Sequence, residues 1–392
     1  MEASDTAGRV PTRDADLTYA RGLIKTNPAS IEAGFVFVSS GAESKCVFHF
    51  NRFSESARSI VDWQTMNQRS FGQSDILVGE IGLGTWQIGG SWGEVSEDDA
   101  LAILRDAIEN GVNFFDTADV YGGGRSEDLI GRFLKESGAD VFVATKLGRG
   151  AAPEGQENYS LAAMRAHTEA SLKRLQMEAL DLTQLHCLPK GVLVQGEVFD
   201  SLRVLKSEGK IRGFGASVES VEEALICLEQ EGLESLQIIF NIFRQKPIDA
   251  LFEAARAKSV ALIVRLPLAS GLLSGKFNQG TQFGIEDHRN FNRDGAAFNV
   301  GETFAGLPFE KGVELADALK TMVPENMTLA QMALRWILDF PAVTTVIPGA
   351  SNRAQVAANV SAAALPPLSG ELHDALRAFY QQQVKDHIRG PY

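Results

Sequence analysis

The stretch Val112-Asn-Phe-Phe-Asp-Thr-Ala-Asp-Val-Tyr-Gly-Gly-Gly-Arg-Ser-Glu127 carries an apolar run, Val112 to Phe115, that ends on an acid, Asp116. A phenol, Tyr121, follows on a loop broken by Gly122 to Gly124, and a helix is expected over residues 126–136. Apolar run, polar tip, glycine break and helix is the order in which an α/β protein presents side chains at the carboxyl end of a buried strand. Taken alone, the stretch favours a capped strand end with a packing tyrosine over a catalytic tip. The other strand ends decide between the two.

On the amino side, residues 81–85 read as a short buried strand preceded by a hairpin over 71–80. Ser96 then caps a helix over 100–109, with Glu97, Asp98 and Asp99 in the first turn, where the helix dipole favours acids. On the carboxyl side, strands expected over 141–145, 180–185, 211–216, 236–240, 261–264 and 343–347 alternate with helices. The helices fall at 160–175, 197–208, 221–230, 249–257, 328–340 and 352–363, with further helices near 310–320 and over 370–384. Eight strand–helix units predict an α/β fold, a (β/α)8 TIM barrel with an N-terminal β-hairpin, because an open doubly wound sheet usually has only five or six strands.

No composition break divides residues 67–392, which are expected to form one barrel domain. Residues 1–66 lack periodicity and read as an extra N-terminal extension of unknown role. Within it, 34–38 and 46–50 have strand character but no evident partner.

The 392 residues are 44% hydrophobic and 22% charged, as in ordinary globular proteins. A formal net charge of −13 argues against nucleic acid or an anionic membrane as the main partner, since either attracts a basic face. Cys46, Cys187 and Cys227 form no CxxC pair or metal-like cluster, so neither a disulfide framework nor a metal is expected. No apolar run approaches the roughly 18–20 residues needed to cross a bilayer. The amino terminus shows no basic-then-apolar leader, which makes the cytoplasm the expected location. Oligomeric state is left open.

In a barrel of this kind the strand ends on the carboxyl face carry the chemistry. The second strand contributes Asp116 and Tyr121, the third Lys146 and the fourth His186. A free phenol has a pKa of about 10. An ammonium from Lys146 is expected to lower it, with Asp116 holding Lys146 in place and charged. Tyr121 would then serve as acid in reduction and base in oxidation, and His186 would donate a hydrogen bond to a carbonyl oxygen. None of the four can transfer a hydride, so redox chemistry here requires a cofactor. The GxGxxG fingerprint is missing: Gly82-x-Gly84 continues into Thr-Trp-Gln-Ile-Gly89 at the wrong spacing.

Asp116-Thr-Ala-Asp-Val-Tyr-Gly122, Thr145-Lys146, Gln184-Leu-His186, Pro267-Leu-Ala-Ser-Gly-Leu-Leu-Ser-Gly-Lys276 and Ile347-Pro-Gly-Ala-Ser351 together resemble the aldo-keto reductase family, over residues 68–365. The resemblance implies a barrel that binds NADPH, or NADH, extended across the strand ends without a Rossmann fold. It implies the tetrad Asp116, Tyr121, Lys146 and His186. It also places Ser217 and Gln237 at the nicotinamide carboxamide, and Pro267, Leu268, Ser270, Gly271 and Lys276 around the pyrophosphate. Gly349, Ser351 and Gln355 fall in the last loop, Asn359 near the adenine, and Gly84, Thr85 and Trp86 on the substrate side of the nicotinamide.

Three departures from the family pattern stand out. Val218 stands where many members have asparagine. Arg265 replaces the aromatic residue that stacks on the nicotinamide; its planar guanidinium could stack instead or contact the pyrophosphate. Gly349 and Gln355 occupy positions where many members place cations against the 2′-phosphate, with Arg353 or Lys276 as candidate substitutes. Residues 287–293, within a long loop over 267–307, read either as a solvated charged loop or as a lid whose Arg289 or Arg293 reaches a phosphate.

The expected activity is NAD(P)H-dependent interconversion of an aldehyde or ketone, sugars included, with an alcohol. Two other readings compete with it. One is a cofactor-binding regulatory subunit resembling the potassium-channel β subunits of the family. The other is a Schiff-base lyase using Lys146.

Overall fold

The computed structural model describes residues 66–90, 92–93, 95–150 and 158–392, together with the backbone of three strands further upstream. By its internal contacts the chain divides into two units, Met1–Trp63 and Gln64–Tyr392. In the first unit the strand Glu32–Ser40 pairs antiparallel with Thr18–Leu23 on one side and Glu43–Cys46 on the other. The run at 34–38 therefore has partners, which a lone apolar run cannot announce. The strand expected at 46–50 lies, beyond Cys46, outside the described residues.

In the second unit eight parallel strands alternate with eight helices. The strands are β1 (Leu83–Gly84), β2 (Phe114–Asp116), β3 (Phe142–Leu147), β4 (Leu180–His186), β5 (Ile211–Ser217), β6 (Ser235–Ile239), β7 (Ala261–Arg265) and β8 (Val343–Val346). They follow one another in the sheet in chain order. The two ends meet through Gly82 N donating to Val346 O at 2.8 Å and Gly84 N to Pro348 O at 3.1 Å, so the sheet closes into a (β/α)8 barrel. Nearly every strand residue is buried, as expected for parallel strands covered on both faces.

The helices that alternate with the strands are α1 (Glu97–Glu109), α2 (Arg125–Ser137), α3 (Leu161–Leu175), α4 (Glu197–Ser207), α5 (Val221–Leu228), α6 (Pro247–Ala257), α7 (Leu329–Leu338) and α8 (Arg353–Ser361), and the further helices expected near 310–320 and over 370–384 form at Phe309–Leu319 and Gly370–Phe379. Local sequence starts several of them. Ser96 accepts from Asp99 N, and Ser220 with Glu223 and Thr328 with Gln331 form reciprocal capping boxes. Two short strands, Gln68–Ser70 and Leu77–Gly79, form a hairpin whose first strand lies just upstream of the expected 71–80. Its Phe71 and Val78 pack with Phe114, Ala144, Leu182, Ala261 and Ile263, plugging the barrel interior.

Register sets the active face. Gly84 pairs with Asp116, Lys146 with Gln184, and Ser217 with both His186 and Gln237. Asp116 belongs to the ladder of β2, although its polarity makes the strand look finished at Phe115. The long segment after β7 is not structureless. It carries the short helical turns Ala269–Ser274, His288–Phe291, Val300–Glu302 and Phe304–Gly306, each too brief to leave a periodic pattern.

Candidate active site

Asp116, Tyr121, Lys146 and His186 converge at the carboxyl ends of β2, β3 and β4. Lys146 is buried, and its ammonium donates to Asp116 Oδ1 at 2.6 Å, Thr117 O at 2.8 Å and the Tyr121 hydroxyl at 3.3 Å. Asp116 Oδ2 accepts from Gln237 Nε2 at 2.7 Å and Gln184 Nε2 at 3.3 Å, so the carboxylate is fixed from three strands. The Tyr121 loop turns at Gly122, where φ is +63° and a Cβ would collide with Gly89 O; only glycine lets the two segments close on each other.

Burial alone would depress the Lys146 ammonium, but Asp116 and the phenol oxygen overcome it and hold the pKa above the ordinary lysine value. A buried, charged amine is a poor nucleophile, which removes the basis for a Schiff-base reading. The expectation for Tyr121 is corrected in sign. Desolvation around the half-buried ring raises the phenol above its ordinary value, and Lys146 offsets this only in part. Tyr121 is thus a neutral hydroxyl with a proton to give. Burial, reinforced by Arg149 and Lys146, holds the His186 pKa well below the ordinary value, so the imidazole is neutral.

A cleft of about 680 Å³ runs across this face. Gly84, Thr85, Trp86, Ser217, Gln237, Arg265, Pro267, Leu268, Ser270, Gly271, Lys276, Gly349, Ser351, Gln355 and Asn359 all line it, with Asp116, Tyr121 and His186. Lys146 lies beneath the surface. Ser217 Oγ donates to Gln237 Oε1 at 3.2 Å, and Gln355 Oε1 accepts from Ser351 N at 2.7 Å. The donor set suits an extended dinucleotide. Glycines bring the backbone to the cleft where a Cβ at Gly84 would fall 2.8 Å from Ile347 O and one at Gly349 would overlap the Gln87 amide. Arg265 lines the cleft as well, and its buried Nε has no hydrogen-bond partner among the described residues. Arg353, by contrast, donates to Asp106 at 2.7 Å, away from the cleft; Lys276 is the candidate substitute that lines it.

Residues 80–381 match the Aldo/keto reductase family. The chain belongs to that family. An uncharacterized oxidoreductase of Bacillus subtilis is 30% identical over 81% of this chain and 98% of its own. A probable voltage-gated potassium channel subunit beta of Arabidopsis thaliana is 29% identical over 77% of this chain and 93% of its own. Among solved structures, the glycerol dehydrogenase of Gluconobacter oxydans superposes with a TM-score of 0.68 at 29% identity, covering 83% of this chain and 98% of that one.

This aldo-keto reductase, an oxidoreductase of a family that uses NAD(P)H, carries a second charged assembly beside the tetrad. Arg149, on the loop after β3, forks onto both oxygens of Glu302 at 3.0 Å and reaches His186 Nε2 at 3.3 Å. Arg265 lies 3.7 Å from the same carboxylate and donates to Val218 O at 3.1 Å and Cys187 Sγ at 3.4 Å. It is therefore directed at the Val218 side rather than held ready to stack. Glu302 is buried, which alone would raise its pKa, but the two guanidiniums hold it down to about 2. Glu302, Glu219 and Cys187 bring their donor atoms within 4.8 Å of one another, yet the arginines already neutralise Glu302, and burial pushes the Cys187 thiol up to about 12. The donors are thus disposed for guanidinium rather than for a metal.

Over the cleft, Trp86 stacks on Tyr121 with ring centroids 5.8 Å apart and meets Trp92 edge-on at 5.4 Å. The segment 287–293 is only partly solvated: Asp287, His288 and Asn292 are buried, while Asn290 and Phe291 are exposed. Arg289 lines the cleft, pinned by Asp287 at 2.5 Å and lying over the Phe283 ring at 4.5 Å. Arg293 instead faces Glu310 at 3.8 Å. Arg149, Glu302, Trp92 and Phe298 are cleft residues that sequence reasoning did not single out. Arg149, three residues past Lys146, had a readable signal in its distance from a strand end. Glu302 had none.

Proposed function

We propose that the protein reduces a small aldehyde or ketone, hydroxylated carbonyls such as sugars included, to the alcohol, and catalyses the reverse oxidation. NADPH is the preferred reductant and NADH a weaker one. The observation that carries this reading is the Tyr121 hydroxyl, 3.3 Å from a buried, charged Lys146 and opening on the cleft beside His186.

The bound dihydronicotinamide supplies the hydride. Ser217 and Gln237 would hold its carboxamide end, Pro267, Leu268, Ser270, Gly271 and Lys276 its phosphates, and Asn359 would lie by the adenine, since each of them lines the cleft. Tyr121 gives its proton to the substrate oxygen, and Lys146 stabilises the phenolate left behind until solvent reprotonates it. Trp86 and Trp92 cover the reacting end and exclude water. A reducing, cytoplasmic setting agrees with the free thiols of Cys187 and Cys227. The likeness to the plant channel subunit supports a regulatory reading as well, but an assembled tetrad favours turnover.

The test is a cofactor-oxidation screen of NADPH and NADH against aldehydes, ketones and sugars. Tyr121→Phe is expected to lower kcat by about 10²–10⁴-fold, with cofactor affinity, read by quenching of tryptophan fluorescence, nearly unchanged. A near-normal kcat in that variant would overturn the assignment.

A further inference from the structure

The Lys146 ammonium has three protons, and three acceptors take them: Asp116 Oδ1, Thr117 O and the Tyr121 hydroxyl. The proton aimed at Tyr121 is therefore directed by the other two acceptors. Both sit at the tip of β2, and a buried chain of hydroxyls holds that tip. Thr85 donates to Asp116 O at 2.8 Å through Oγ1 and at 2.9 Å through its backbone N. A carbonyl only accepts, so the Thr85 hydroxyl has committed its proton there. Ser126 Oγ, 2.8 Å from Thr85 Oγ1 and 3.2 Å from Thr85 O, then gives its own proton to Thr85. That leaves Ser126 to accept from Thr117 Oγ1 at 2.8 Å. The chain runs one way, from Thr117 through Ser126 and Thr85 to the Asp116 carbonyl, and all three hydroxyl residues are fully buried. Away from water such a chain is polarised along its length, and a gap in it leaves an orphaned donor.

Ser126 is the middle member of the chain. It lies in the first turn of α2, and its backbone N also donates to Tyr121 O at 3.2 Å, so one residue reaches both Tyr121 and the β2 tip. We propose that Ser126 is a positioning residue for proton transfer, whose hydroxyl fixes the β2 tip so that Lys146 presents its third proton to Tyr121. In reduction Tyr121 gives its proton to the substrate oxygen as the carbonyl carbon takes the hydride. The phenolate left behind is stabilised by the N–H that Lys146 keeps pointed at it. Without the Ser126 hydroxyl, Thr117 loses its acceptor, its carbonyl is free to turn, and the ammonium follows it away from the phenol. The inference rests on the carbonyl-reductase reading, and its test is separable from that reading.

The experiment compares Ser126→Ala, Thr117→Val, their double variant and the control Thr117→Ser with the native protein, each checked for native circular dichroism. Ser126→Ala is expected to lose about 10–10²-fold in kcat, with KM and cofactor affinity changed by no more than about threefold. Oxidation of the alcohol needs Tyr121 as phenolate. Its rate is expected to reach a plateau about one pH unit higher in Ser126→Ala, because a displaced ammonium lowers the phenol less. A merely structural loss leaves that profile in place. Thr117→Val is expected to behave alike and Thr117→Ser to keep a near-native rate. The double variant is expected to lose no more than either single variant, since the two hydroxyls form one link. Urea unfolding of the same variants reads that coupling independently of turnover, as a loss of stability in the double variant that falls short of the sum. Native turnover and its loss in Tyr121→Phe test the underlying reading alone. If Ser126→Ala keeps kcat within about twofold, oxidises alcohol with the native pH profile, or adds its loss to that of Thr117→Val, the inference is wrong and Ser126 only holds α2 to the barrel.

Discussion

The two charged assemblies on either side of His186 are built in opposite ways. Asp116, Lys146 and Tyr121 come from two adjacent strand ends, and their ammonium is sealed beneath the cleft floor. Arg149, Glu302 and Arg265 come from loops and a strand tip, joined across 153 positions of sequence, and the Arg149 side chain keeps 23% of its surface exposed. The first is a buried pair whose partners have nowhere else to go. The second can trade protein contacts for water or substrate. Rigidity therefore belongs to the Lys146 side, and adaptability to the Arg149 side.

Removing one member from each assembly breaks that contrast or sharpens it. Asp116→Ala strands a buried ammonium and is expected to lower unfolding stability by about 3–5 kcal/mol, as read from urea denaturation. A cost under about 1 kcal/mol would mean that Lys146 finds water and that the two sides do not differ. Glu302→Gln is expected to cost less, about 1–2 kcal/mol, because Arg149 can turn toward the cleft.

The Glu302 variant has a pH signature. A carboxyl at about 2 in the folded protein, against an ordinary 4.5, contributes stability above pH 4.5 that is lost as pH falls toward 2. Melting temperature in the native protein should drop through that window, and the Glu302→Gln variant should lose that part of the slope. The smallest expected effect is on the proton-transfer side. Tyr121, raised above its ordinary value, keeps its proton throughout neutral pH, so the rate of carbonyl reduction stays level up to about pH 9. A fall already near pH 7 would show that Lys146 outweighs desolvation, as the sequence alone suggested.

What could be read in advance follows the same division. The barrel and the tetrad were legible because each tetrad residue but Tyr121 sits in or at the end of an apolar run, and Tyr121 is five residues beyond one. The fifteen cleft residues could be named because the stretches carrying them resemble a family. The sign of the Tyr121 shift was not legible, since it depends on how tightly Trp86 and the loop at Gly122 crowd the ring. Nor was the Arg149–Glu302 fork, because no local pattern ties a residue after β3 to a turn within the segment after β7. Arg353 misled for the converse reason: its position in sequence fits a phosphate, but Asp106 of α1 is nearer.

The seam of the barrel lies under the cleft. Gly84, at the end of the first strand, and Pro348 and Gly349, just beyond the last, meet there, and all three line the same cavity. A dinucleotide laid along that cavity would touch both margins of the sheet at once and act as a clasp on the closed ring. Its occupancy would then be felt by the whole barrel, as slower amide exchange at 83–85 and 347–351 and as a melting temperature that climbs with ligand concentration.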